Sequence, residues 1–276
     1  MPTEPAALAA LGERLGAQAW PGFLILLAAA VAASGLAAWG VEHLRRRHAA
    51  RTEPEPRARL LFGGLAIGLV AVIALSRVFA EVAEGLGNGR PMGLLDEAIS
   101  HAVGSHTPPG VREAFALLTH LGDPWFAVSL CVVVALLLWV RGHRGFAAGW
   151  VAAIAGNAVV NHVLKGIFER ARPVHEAGFA QVSGYSFPSG HSSGAMALYG
   201  MLGYLGLRML PPRWRVPSVM AAAAVVVTVA CSRIFVRAHF PTDVLAGLCS
   251  GAAWLAICIA SLEYARHQHG TRPQGA

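Results

Sequence analysis

Residues 216–262 read VPSVMAAAAVVVTVACSRIFVRAHFPTDVLAGLCSGAAWLAICIASL, and this stretch decides the fold. Two apolar runs, 216–233 and 242–262, each approach the ~20 residues that a helix needs to cross the hydrocarbon core of a bilayer. Between them Ser232, Arg233, Arg237, His239 and Asp243 crowd into a short polar break. Pro241 fits the first turn of the second run, where a missing N–H costs nothing. In hydrocarbon every backbone N–H and C=O must be satisfied within the protein, so such runs predict helices joined by a tight turn at one membrane face. Ionisable side chains near that depth are costly and mark function.

The same reading outward gives apolar runs at 21–41, 60–82, 124–140, 146–165 and 192–208, for seven predicted spans. The first lacks a preceding basic segment and is followed by Arg45, Arg46 and Arg47 in place of a small-residue cleavage site, so it reads as a span and not as a removed signal. Composition agrees. The 276 residues are 55% hydrophobic and 13% charged with a mean hydropathy of +0.52, too apolar for an ordinary soluble domain. The predicted fold is an all-α polytopic membrane bundle. Its net charge of +7 comes as short arginine clusters between apolar runs, which argues against a nucleic-acid surface. Cys131, Cys231, Cys249 and Cys258 fall inside apolar runs, without the paired spacing of a disulfide or zinc framework, and read as packing residues.

Arginines fix the orientation. Arg45, Arg46, Arg47, Arg51, Arg57, Arg59, Arg141, Arg144, Arg208, Arg213, Arg215, Arg266 and Arg272 all fall on one side of the seven spans, which the positive-inside rule makes cytoplasmic. The other side carries Arg14, Arg77, Arg90, Arg112, Lys165, Arg170, Arg172, Arg233 and Arg237. Trp20, Trp39, Trp125, Trp139 and Trp214 stand at span ends, where an indole suits the headgroup region. The outer segment 84–123 repeats Leu94, Leu95, Ala98, Ile99 and Ala102 at helical spacing, then Val111, Phe115, Leu118 and Leu121, and predicts helices lying along the surface.

Three polar clusters lie at span ends on that outer side. The first is Lys165, then six residues, then Arg172-Pro173; Lys165 is the single lysine among 22 basic residues. The second, Pro188-Ser189-Gly190-His191, opens a span with small residues whose free N–H groups and helix dipole suit an anion. The third is Ser232-Arg233, five residues, His239, three residues, Asp243, a spacing at which the carboxylate can accept from the imidazole and leave the other ring nitrogen as a nucleophile. Singly, each has an ordinary reading: a snorkelling lysine, an interfacial histidine, a capping aspartate. Span parity puts all three on one side, where three cations, two histidines and one carboxylate can surround a phosphoryl group.

The three clusters, in this order and with all eleven fixed residues present, resemble the signature motifs of the type 2 phosphatidic acid phosphatase family, which are shared with vanadium haloperoxidases. The resemblance implies a six-helix phosphatase core over 60–264; the N-terminal membrane helix and connector over 1–59 lie outside it, and the residues 265–276 read as a cytoplasmic tail. It implies that His239 attacks phosphorus to form a phosphohistidine, that Asp243 orients it, and that His191 protonates the leaving oxygen and then activates water. Lys165, Arg172, Ser189, Gly190 and Arg233 would bind the phosphate oxygens, with no metal or other cofactor. The implied substrates are lipid phosphates or diphosphates such as phosphatidic acid, phosphatidylglycerophosphate or undecaprenyl diphosphate, met in the cell membrane at its periplasmic or extracytoplasmic face. A phosphotransferase using the same site is the alternative; a lipid transport or scaffold protein has no use for these histidines.

The remaining polar residues get simpler expectations. Asn157, Asn161 and His162 read as interhelical hydrogen-bonding residues, and Gly200, Gly203 and Gly206 as points of close helix approach. His101, His106, His120 and His175 read as ordinary loop histidines. Arg170 and Arg237 flank the motifs and are candidates to meet a second phosphate.

Overall fold

The computed structural model describes residues 4–49, 57–86, 90–173 and 184–271, and among these the chain is helical, with no strand. The helices are α1 (Glu4–Ala17), α2 (Ala19–Ala49), α3 (Arg57–Glu84), α4 (Pro91–His106), α5 (Pro109–Leu118), α6 (Pro124–Val140), α7 (Arg144–Phe168), α8 (Gly190–Met209), α9 (Pro212–Phe235) and α10 (Pro241–Thr271). A 3-10 turn, Thr119–Gly122, joins α5 to α6. Proline opens α4, α5, α6, α9 and α10, using its fixed φ where no N–H partner is required.

Five helices are individually long and apolar enough to cross a bilayer, α2, α3, α7, α9 and α10; α5 to α6, bent by 44°, makes a sixth if the pair is one span. The sequence predicts seven. The difference is α8, which is rich in glycine and serine. It packs against α7, α9 and α10 at the centre of the bundle, with Ser192, Ser193, Ala195, Leu198, Met201 and Leu205 buried. A helix wrapped by other helices faces protein and not lipid, so its sequence can be small and polar. Outward-facing Ile67, Val70, Val140, Val159 and Ile167 form the apolar surface that lipid would cover.

Close approach explains the core. A Cβ at Gly203 would stand 3.3 Å from the Ala222 methyl, and Gly200 and Gly206 likewise face Leu255 and Ser218 without room for one. Asn157 and Asn161 reach the Ser193 hydroxyl on α8 at 3.4 and 3.2 Å, the interhelical role expected of them. The cysteines are free, and Cys231, Cys249 and Cys258 are buried.

The ends of the bundle differ in chemistry. At one end Glu42 accepts from Arg215 at 3.0 and 3.1 Å, Arg208 pairs with Glu263 at 3.1 Å, and Arg46 lies 3.3 Å from Glu42, tying α2, α8, α9 and α10 together. At the other, α4 and α5 lie over α9 and α10. There α1 packs along α4 because Gly12 and Gly16 present no side chain, and a Cβ on either would come within 2.5 Å of Ala98 or Ala102. The short helices α4 and α5 fall within the segment 84–123 and roof the polar break between α9 and α10.

Candidate active site

The chain leaves α9 through a tight return in which the Ala238 and His239 amides both donate to the Arg233 carbonyl, at 3.0 and 3.2 Å. Arg237 takes the left-handed φ of 54° that the return demands of it. Asp243, in the first turn of α10, accepts from the Phe240 amide at 2.9 Å, so the residue facing the imidazole also caps its own helix. His239 Nδ1 lies 3.5 Å from Asp243 Oδ2, and the Ser186 hydroxyl stands between them, 3.3 Å from Nδ1 and donating to the same oxygen. The opposite nitrogen, Nε2, is 3.1 Å from Arg172 Nη1.

That last contact assigns the tautomer. A guanidinium only donates, so Nε2 must hold a lone pair and the ring proton must sit on Nδ1, toward Ser186 and Asp243. His239 is 3% exposed. Burial, assisted by Arg172 and Arg233 and opposed by Asp243, pushes its pKa down to about 3. It is a neutral imidazole at physiological pH with its lone pair aimed at a cation.

The cations converge from separate elements. Glu169 ends α7 in the left-handed region, φ 44°, with its amide returning to the Lys165 carbonyl at 3.1 Å, which reverses the chain and brings Arg170 and Arg172 back over the site. Lys165 and Arg172 both donate to the Tyr185 carbonyl oxygen, so two cations meet on one oxygen. Arg233, 3% exposed, donates to Thr119 Oγ1 at 2.7 Å. His191, in the first turn of α8, places Nε2 3.0 Å from Asp123 Oδ1.

The site therefore gathers Lys165, Arg172, Arg233, His191, His239 and Asp243 at one end of the bundle. Ser189, at the position expected of a phosphate contact, is the buried N-cap of α8. Its hydroxyl caps α8 by accepting from the Ser192 amide at 3.4 Å and hydroxyl at 2.9 Å, and its own amide is taken by the Asp243 carbonyl at 2.9 Å. Gly190 and His191 open α8, where first-turn amides have no intrahelical partner.

Arg170 has contacts beyond those expected of it. It clamps two buried carboxylates, donating to Asp243 Oδ1 at 2.7 Å and to Asp96 Oδ2 at 2.8 Å, with Thr242 Oγ1 at 2.8 Å. Asp96, 1% exposed, also accepts from the Thr242 amide at 3.2 Å and from the Thr242 hydroxyl. Burial raises the Asp96 carboxyl above its ordinary value, opposed by Thr242 and Arg170. The signal for Asp96 is its place in the stripe Asp96, Ser100, Val103 of α4, all three buried and at helical spacing.

His120 is more than a loop histidine, because its Nδ1 lies 2.7 Å from Asp123 Oδ2, the carboxylate that holds His191. His101 and His106 lie 4.0 and 3.9 Å from Glu13 at the surface, and His175 falls outside the described residues. Arg237, with Arg170, Arg172, Glu97, Ser100 and Phe240, lines a cavity of about 460 Å³.

A helical membrane bundle with two carboxylate-paired histidines and three cations at one polar end defines a class, the membrane-embedded phosphatases that grip a phosphoryl group with side chains. The family model described as the PAP2 superfamily matches residues 146–267, and the chain belongs to that superfamily. It is 32% identical over 163 residues to phosphatidylglycerophosphatase B of Bacillus subtilis (strain 168), covering 56% of this chain and 77% of that protein. It is 31% identical over 189 residues to a lipid A 1-phosphatase of Rhizobium etli, covering 59% and 75%. Among solved structures, the crystal structure of a transmembrane PAP2 type phosphatidylglycerolphosphate phosphatase from Bacillus subtilis superposes with a TM-score of 0.64 at 26% identity, covering 74% of this chain and 98% of that one.

Proposed function

We propose that the protein hydrolyses a membrane lipid phosphate or diphosphate through a phosphohistidine on His239, without a metal ion. The observation that carries the reading is the placement of His239, with its protonated Nδ1 facing Ser186 and Asp243 and its lone pair on Nε2 beside Arg172. In the first half-reaction Nε2 attacks phosphorus as the P–O bond to the lipid breaks and the leaving oxygen takes a proton from His191. In the second, His191 takes a proton from water, whose oxygen attacks phosphorus as the N–P bond breaks. Lys165, Arg172 and Arg233 neutralise the equatorial oxygens, and the Gly190 and His191 amides add donors. Phosphoryl transfer needs positioning and charge neutralisation above all, which fixed cations supply.

The relatives named above act on phosphatidylglycerophosphate and on lipid A, and both support a lipid phosphate as substrate. The cavity beside Arg172 supports a bulky or doubly charged headgroup, with Arg237 as the side chain that would meet a second phosphate. The arginine-rich network at the far end of α2, α8, α9 and α10 supports an extracytoplasmic site in the cell membrane by the positive-inside rule.

The test is phosphate release from phosphatidic acid, phosphatidylglycerophosphate and undecaprenyl diphosphate by detergent-purified protein in EDTA, wild type against His239→Ala. Release that survives EDTA and vanishes in the variant is expected. Release abolished by EDTA, or retained by His239→Ala, contradicts the reading, and phosphate delivered to an acceptor lipid in place of water would make the protein a transferase.

A further inference from the structure

The five residues Thr119–Asp123, between α5 and α6, touch the catalytic helices at four points. Asp123 Oδ1 is 3.0 Å from His191 Nε2, and Thr119 Oγ1 receives Arg233 Nη1 at 2.7 Å. The Leu121 carbonyl accepts from Tyr199 Oη at 2.8 Å, which pins the turn to α8. Gly122 faces His191 so closely that a Cβ there would come within 2.9 Å of the imidazole Cδ2 and 2.5 Å of the Val229 side chain. Only a residue without a side chain lets the backbone approach the imidazole in this way.

We infer that this turn is a fourth element of the active site, in which Asp123 positions His191, fixes the roles of its two ring nitrogens and favours its proton-donating form. The inference rests on the phosphatase reading given above. The groups facing His191 are Arg233 from α9, Arg172 from the segment after α7, and Asp123, backed by His120, from the turn. Burial, joined by Arg233 and Arg172, pulls the His191 pKa down to about 4, and Asp123 is the one anion among these neighbours that opposes them. Its hydrogen bond also fixes the roles of the two ring nitrogens. Nε2–H donates to Asp123, so the proton passed to the leaving oxygen is the one on Nδ1, and Nδ1 takes a proton back from water in the second half-reaction. Asp123 is thus to His191 what Asp243 is to His239. Thr119, through its hydroxyl, sets the guanidinium of Arg233 toward the phosphoryl group.

Leaving-group dependence separates this role from a structural one. An alkyl phosphate leaves as an alkoxide and needs the proton, whereas p-nitrophenolate leaves without it. In rapid-quench first turnovers on the full-length protein in detergent, Asp123→Asn is expected to slow transfer from a dialkylglycerol phosphate by ~10²-fold, the scale of general-acid catalysis. The same variant should slow transfer from p-nitrophenyl phosphate by no more than a few-fold. The basic limb of the pH profile for the alkyl substrate should move to lower pH, because removing the anion lets His191 lose its proton sooner. Asp123→Glu should recover part of the alkyl rate. Equal slowing of both substrates, or no slowing of either, would overturn the assignment. His239→Ala, which should abolish both reactions, reports separately on the nucleophile, so a failure of the phosphatase reading and a failure of this one give different patterns.

Discussion

Replacing Arg170 should injure stability and rate together while leaving substrate preference alone. Its guanidinium, whose side chain is 14% exposed, joins two carboxylates that are 2% and 0% exposed, at 2.8 and 2.7 Å. Removing one partner of a buried ion pair leaves an uncompensated charge, which costs about 3–5 kcal/mol. Arg170→Gln strands both Asp96 and Asp243, but Asp96 can shed part of the cost by taking up a proton, as its raised carboxyl already inclines it to do. About 3 kcal/mol, the lower end of that range, is the expected loss. Asp243 would then be free to turn away from Ser186 and His239. Misplacement of a catalytic group by about 1 Å costs on the order of 10²-fold in rate. Arg170→Lys should recover little of this, since one ammonium cannot span two carboxylates as a planar fork does. Adding Asp96→Asn to Arg170→Gln should restore part of the stability but not the rate, because it removes one stranded charge and leaves Asp243 unheld. The assays are thermal unfolding in detergent and phosphate release from one monophosphate and one diphosphate lipid. Arg170→Lys with wild-type stability and turnover would refute the clamp, and so would a selective loss of diphosphate turnover, which would return Arg170 to the substrate.

Two further outcomes follow from the geometry. With a native pKa of about 3, the His239 ring signals in ¹⁵N-histidine NMR should not titrate between pH 8 and 5, and a midpoint near 6.5 would show that the ring is not buried as described. The sign for stability follows: below pH 6.5 the unfolded chain binds a proton that the native state refuses until about pH 3, so this group lowers stability by about 1.4 kcal/mol per pH unit on acidification through that window. Arg237→Gln should lower diphosphate turnover by ~10-fold, the weight of one charge-assisted hydrogen bond of roughly 1.5 kcal/mol, and spare monophosphate turnover; equal losses would remove Arg237 from the headgroup cavity.

Much of the fold was legible because the bilayer imposes length and apolarity on each span. The exception, α8, shows where that rule stops: a helix buried among α7, α9 and α10 answers to close packing, and its glycines and serines dilute the signal. The three motifs were legible because each sits at a span end with charges that hydrocarbon would not tolerate. Asp96, Ser186 and the Thr119–Asp123 turn were not, since each lies in a loop or surface helix where a polar residue is unremarkable. What makes them matter is a contact across dozens of positions in sequence, Asp96 to Arg170 and Asp123 to His191, which no local spacing records. Arg170 was visible as a cation beside a phosphate motif, but its carboxylate partners were not, because Asp96 and Asp243 both lie far from it in sequence.

The central claim is that His239 Nε2 becomes the phosphoryl carrier, and the most direct measurement is to trap it. Wild-type protein mixed with a lipid phosphate, quenched into alkali within the first turnover and digested for mass spectrometry, should show a phosphoryl group on the peptide carrying His239. That adduct should be stable to base, labile to acid, and absent from His239→Ala. Turnover of the lipid with no adduct on His239 in any quenched sample, or an adduct on His191 in its place, would contradict the account.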